Sequence, residues 1–179
     1  MRALSIRQPW AWAILHAGKD IENRDWKGYG GKLGRDKGFR GDVLIHASQR
    51  PNPTRLVREG EEFSAFCRER RITLPDGEHP GVLSCRDLFR DCGGIVGIAR
   101  IVDIRPNGEA PASRWAIPGL LGLVLAQVEA FPQMVPCNGA RGFWTVPPGV
   151  QALVDEQLLQ LKLERHASED RLEMKELGA

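Results

Sequence analysis

Residues 4 to 26, LSIRQPWAWAILHAGKDIENRDW, decide the fold. They read as an apolar strand, a short amphipathic helix and a charged strand joined by tight connections. Ala3 to Ile6 is apolar enough for a buried strand. Pro9 suits a first helical turn because its φ is already fixed there. Trp10, Ala13, Ile14 and Ala17 then recur at helical spacing, and Gly18 is the expected stop. The strand Asp20 to Trp26 follows at once. Side chains alternate along it, so Glu22 and Arg24 share a face and Lys19 stands at its mouth. Three charges beside a tryptophan-rich helix fit a polar pocket, and they fit equally a solvated strand edge with a surface ion pair.

Beyond this unit, a glycine-rich charged stretch (KGYGGKLGRDKGFRGD, residues 27 to 42) is a long loop. Its Tyr29 and Phe39 are candidates to stack on a base or to tether the loop. Val43 to Ala47 reads as a strand. Pro53 to Arg70 reads as a helix burying Leu56, Val57, Phe63 and Phe66 or Cys67. A short helix is expected around Arg86 to Asp91. Strands are expected at Ile95 to Ile104, Gly122 to Ala130 and Gly142 to Val146, with Trp115 on the loop from Pro106 to Gly119. A final helix starts after Pro147-Pro148, with Val150, Leu153, Val154, Leu158 and Leu161 on one stripe. Short strands spaced by turns, with helices between them, favour a small mixed β-barrel, closed or half-closed, over a βαβ sheet. The expected fold is therefore α+β: a barrel with flanking helices over residues 1–147, and a C-terminal helical extension with a polar tail over 148–179.

The 179 residues and 42% apolar content suffice for one sizeable core. No apolar run approaches a membrane span, and no leader-like apolar segment opens the chain. A cytoplasmic protein without membrane contact is expected. Cys67, Cys85, Cys92 and Cys137 form no C-x-x-C pair, and His16, His46, His79 and His166 form no close pair. Free thiols, no metal and no cofactor are expected. Net charge is +2, unevenly spread: Lys19 to Arg58 carries ten basic and five acidic residues, Asp155 onward seven acids and four bases. A polyanion is attracted to the first region and repelled by the tail.

Five segments then carry a resemblance: LSIRQPWA (4–11), GKDIENR (18–24), RGDVLIHAS (40–48), GGIVGIARIVD (93–103) and VPCNGARGFW (135–144). In this order they resemble the ASCH domain of the PUA-like superfamily, over about residues 3 to 147. The resemblance implies a PUA-like barrel with a cleft and a role in RNA- or nucleotide-related binding, ribonuclease activity in some members, and removal of an acyl group from N4-acylated cytidine in others. In that last branch a lysine and a threonine three positions later are catalytic, with a glutamate further along. Lys19 falls on the lysine, Glu22 occupies the threonine's place, and Glu109 is a candidate for the glutamate by position alone. Arg24 ends the family's K-x-x-E-x-R pattern. Leu123 stands where related sequences often carry tryptophan.

The candidate site follows. Glu22, beside two cations, would accept hydrogen bonds from a base edge; Lys19 would hold a phosphate or, if desolvated, act as acid or base; the alternative for the trio is a buried ion network that staples the helix to the barrel. Lys19 and Glu22 are catalytic candidates if the chain is an enzyme. Trp10 and Trp115 are candidate stacking walls, although any tryptophan equally fits a core. Trp26 and Trp144 read as core. Arg7 and Gln8, ahead of the first helix, and Arg141 are candidate anion contacts. Ser48 is either a cleft hydroxyl or a cap of the following helix, and His46 reads as a satisfied structural residue. The expected partner is RNA, a nucleotide or a modified nucleoside. The alternatives are a metal-independent hydrolase (ribonuclease or amidohydrolase) and a regulatory module that docks a protein partner through its C-terminal helix.

Overall fold

A computed structural model describes residues 1–25, 38–75, 88–108 and 112–177, with side chains to Arg171. The expectations for Trp26, Tyr29, Glu109, Cys85, His79 and most of the glycine-rich loop lie outside the described residues, as does the start of the short helix expected near Arg86.

The chain runs β1 (Arg2–Ile6), α1 (Trp10–His16), β2 (Ile21–Arg24), β3 (Gly41–Ala47), α2 (Pro53–Glu69), β4 (Gly94–Pro106), β5 (Leu121–Pro136), β6 (Phe143–Thr145) and α3 (Pro148–Leu177). The architecture is mixed α and β, with the strands in one sheet of order β2-β5-β4-β3-β1-β6 that curls into a half-barrel. Among the described strands only β1 and β3 pair in parallel; the other pairs are antiparallel. Curling comes from β4 and β5, the two long strands. Their pairing shifts register three times, and Gln127 on β5 takes φ 48°. Each such irregularity bends a strand and adds twist. The second of these strands was expected to end at Ala130; it continues to Pro136.

Alternation sorts the residues into two faces. Leu4, Ile6, Val43, Ile45, Ala47, Ile101, Leu123 and Leu125 fill the concave side with Ala11 and Ile14 of α1. The convex side holds Ala3, Leu44, Ile95, Phe131 and Val135, covered by Val150, Val154, Leu158 and Leu161 of α3. The start of α3 is thus part of the same packed body as residues 1–147. Leu153 leaves the expected stripe and is exposed, because it lies about 100° around the helix from Val154. Val57 on α2 is exposed for the same geometric reason, while Phe63 and Cys67 are buried. Gly97 is obligatory: a Cβ there would meet the Glu129 carbonyl of β5 and Leu15 of α1.

Candidate functional site

Gly18 closes α1 in the left-handed region at φ 65°, and the Lys19 amide bonds back to the Ala13 carbonyl at 3.0 Å. This turn folds Lys19 under the helix. Its Nζ donates to the Ile21 carbonyl at 2.5 Å and to Glu22 Oε2 at 2.7 Å. Arg24 Nη2 lies 3.2 Å from Glu22 Oε1. The Arg24 Nη2 also donates to the carbonyl of Ser5 on β1. The trio therefore sits where edge strand β2 curls back towards β1, in the open side of the half-barrel.

This placement corrects one expectation. Lys19 is 1% exposed, Glu22 7% and Arg24 8%, so the trio is a buried ion network, the third of the readings its sequence allows, and neither an open hollow nor a solvated strand edge. Burial pushes the Lys19 ammonium below its ordinary value, against the pull of Glu22. Burial alone would raise the Glu22 carboxyl, but the charges of Lys19 and Arg24 outweigh it and hold it below the usual range. Arg7 adds to the same effect. Its side chain is 62% exposed and bridges to Glu59 Oε1 of α2 at 3.2 Å, and Arg55 reaches the same oxygen at 2.8 Å. A ladder of charge thus runs from Arg55 and Arg7, which share Glu59 at the surface, by the field of Arg7 to Glu22, and on to Lys19 and Arg24. Asp20 adds a further negative charge close enough to act on Lys19.

The other candidates divide. Gln8 is buried and committed to structure: its Oε1 accepts from the Trp12 amide at 2.8 Å and its Nε2 donates to the Asp91 carbonyl at 2.8 Å. Trp10 and Trp115 come together, but around Phe63 and Phe66. Trp10 meets both edge-on at 5.2 Å, and Trp115 stacks on them at 6.4 and 6.0 Å. Trp115 is 5% exposed and is core, not a wall for a base; α2 supplies the burial that its loop alone did not promise. Ser48 extends the β1–β3 pairing, its amide bonding to the Ile6 carbonyl at 2.8 Å. It does not cap α2, whose cap is Asn52, accepting from the Arg55 amide. Arg141 is exposed on the β5–β6 loop, beside the opposite edge strand β6.

Two groups carried no clear sequence signal. Glu59 is buried although acidic, and only its position four residues after Arg55 on a helix hints at the bridge. Ser5 contributes a backbone carbonyl, which no side-chain pattern can flag. His46 is half satisfied: its Nε2 faces the Cys137 carbonyl at 3.1 Å, its Nδ1 has no hydrogen-bond partner among the described residues, and its ring stands edge-on to Trp144 at 5.6 Å. Trp144 in turn donates from Nε1 to Ser5 Oγ at 3.1 Å.

Among the described residues a surface hollow of about 330 Å³ lies beside Asp20, Ile21, Arg105, Asn107, Ser113 and Val124. It adjoins the start of β2 without including the trio. No helix among the described residues is long and apolar enough to cross a membrane. The fold and site define a mixed half-barrel with a buried cationic cluster at its open side. No protein-family model matches the chain, and no curated protein sequence matches it.

Proposed function

We propose that the chain binds RNA, or a nucleotide or modified nucleoside, at the open side of the half-barrel, in the manner of the ASCH domains and the PUA-like barrel that its five segments resemble. The observation that carries this is the charge ladder. A merely structural closure between β2 and β1 would be cheapest with apolar side chains, because burying ions costs several kcal/mol each before any pairing. Here the cluster stays ionic and reaches solvent through the exposed guanidinium of Arg7. Arg7 takes the phosphate, Arg55 adds to its field, and the trio forms the charged floor beneath. Free thiols at Cys67, Cys92 and Cys137 fit a reducing, cytoplasmic setting.

The test is binding of short single-stranded RNA and of free nucleotides by fluorescence anisotropy across a salt series. Arg7→Ala spares the fold, since Arg55 still pairs with Glu59. Losing one phosphate contact should weaken binding across sequences and lower the salt slope by about 1. Wild-type protein that retains neither RNA nor nucleotide, or an Arg7→Ala variant that binds as wild type does, overturns the proposal.

One observation favours a metal-independent hydrolase as the second reading. Burial lowers Lys19 and pairs it with a carboxylate, the condition under which a lysine serves as acid or base. Cleavage of RNA in EDTA, or release of the acyl group from N4-acetylcytidine, by wild type and not by Lys19→Arg would establish it.

A further inference from the structure

We propose that Asn138 is a site of spontaneous deamidation and isoaspartate formation in the folded protein. The chain holds two Asn-Gly pairs, Asn107-Gly108 and Asn138-Gly139, and the fold treats them differently. Asn107 is buried. Its Nδ2 donates to Asn23 Oδ1 at 2.9 Å and to the Ile117 carbonyl at 3.0 Å. The Asn107 backbone amide bonds to the Leu120 carbonyl and its carbonyl accepts from Gly119. Its amide carbon cannot turn towards the next backbone nitrogen without breaking this network. Asn138 is exposed on the β5–β6 loop, and its side chain makes no hydrogen bond among the described residues. Gly139 is also exposed and has no Cβ to hinder approach to its nitrogen.

The step needs only water. The Gly139 backbone nitrogen gives up its proton to solvent and attacks Cγ of Asn138. The N–Cγ bond forms, the Cγ–Nδ2 bond breaks, and ammonia leaves with a proton from solvent. Water then opens the cyclic imide. Attack at Cγ breaks the new bond and yields aspartate. Attack at the backbone carbonyl carbon breaks the original peptide linkage and leaves the chain running through the β-carboxyl, as isoaspartate.

The consequences are local and defined. A carboxylate appears three residues before Arg141. In the isoaspartyl form the backbone gains a methylene beside Gly139, which is packed so closely on Ser5 and His46 that a Cβ there would collide with both side chains.

The full chain, incubated at neutral and at mildly alkaline pH and digested for peptide mass mapping, tests this. Asn138 should convert several-fold faster than Asn107 in native protein, and faster at the higher pH. In urea the two pairs should convert at similar rates, because both are Asn-Gly. Native protein in which Asn138 survives as long as Asn107, or in which both convert alike, overturns the proposal. So does acidification of the 138-containing peptide that persists in Asn138→Gln. None of these outcomes depends on RNA or nucleotide binding.

Discussion

Arg24 on β2 donates through Nη2 to the carbonyl of Ser5 on β1 at 2.9 Å, although three strands separate β2 from β1 in the sheet. The bond spans the open side of the half-barrel, and Glu22 holds the guanidinium that makes it. Breaking a buried ionic group by removing one partner is far costlier than replacing the whole group with apolar side chains. Glu22→Leu, which leaves Lys19 and Arg24 buried without their carboxylate, should lose about 3–5 kcal/mol in urea unfolding. The triple variant Lys19→Met/Glu22→Leu/Arg24→Met should recover most of that loss and no anion binding. A single variant as stable as wild type would show that the trio is not a buried unit.

Stability should fall in two stages as the solution is acidified. Burial holds His46 below its ordinary value of 6.5; partial desolvation lowers the exposed His16 in the same direction, screened by water. The unfolded chain therefore takes up protons first, and stability drains as pH falls through 6.5 towards the folded values. Glu22 is held below its ordinary 4.5, so its contribution is complete above that value and is lost as pH drops through the lower folded one. Lys19 acts at the other extreme: lowered from 10.5, it costs the folded state stability at lower pH, and that cost is relieved as pH rises towards 10.5. His46→Gln should flatten the first stage, followed by chemical unfolding from about pH 7 to about pH 5. An unchanged slope there would assign the stage to His16.

Much of this architecture is legible in residues 4 to 26. Gly18 and the helical spacing from Trp10 mark α1, and alternation marks β1, β3 and β4, because those features are set by neighbours in sequence. Trp115 shows the limit. Its loop position said nothing about α2, yet Phe63 and Phe66, some fifty residues earlier, bury it. The trio's composition was equally visible, but its burial depends on the sheet curling through bulges in β4 and β5 that no local pattern announces. Ser5 was invisible because it acts through its backbone.

Trp115 thus offers a clean discrimination between core and cleft. Trp115→Ala removes a buried indole from between α2 and the β4–β5 loop and should cost about 3–5 kcal/mol, measured by urea unfolding. Its folded fraction should bind RNA with wild-type affinity. Loss of binding at full stability would return Trp115 to the role of a stacking wall.

The C-terminal helix divides at Leu161. Up to that residue it covers the convex face: Val154 is fully buried, with Val150, Leu158 and Leu161 packed beside it against Phe131, Val135 and Trp144. From Lys162 to Arg171 every side chain is exposed, and an ion pair to the sheet, Arg165 to Glu129 at 3.6 Å, lies in water, where such pairs contribute about 0–1 kcal/mol. Truncation after Ser168 should therefore leave the urea midpoint nearly unchanged. Truncation after Pro147 strips the cover from a hydrophobic cluster. At roughly 1.5–3 kcal/mol for each buried aliphatic side chain re-exposed, that exceeds the stability of many domains of this size, so this shorter chain should be aggregation-prone or unfolded. Loss of a partner on truncation after Pro147 would then report unfolding, and only the chain that ends at Ser168 can test whether the residues beyond it dock one. Equal stability of the two truncated chains would show that α3 is an appendage rather than part of the core.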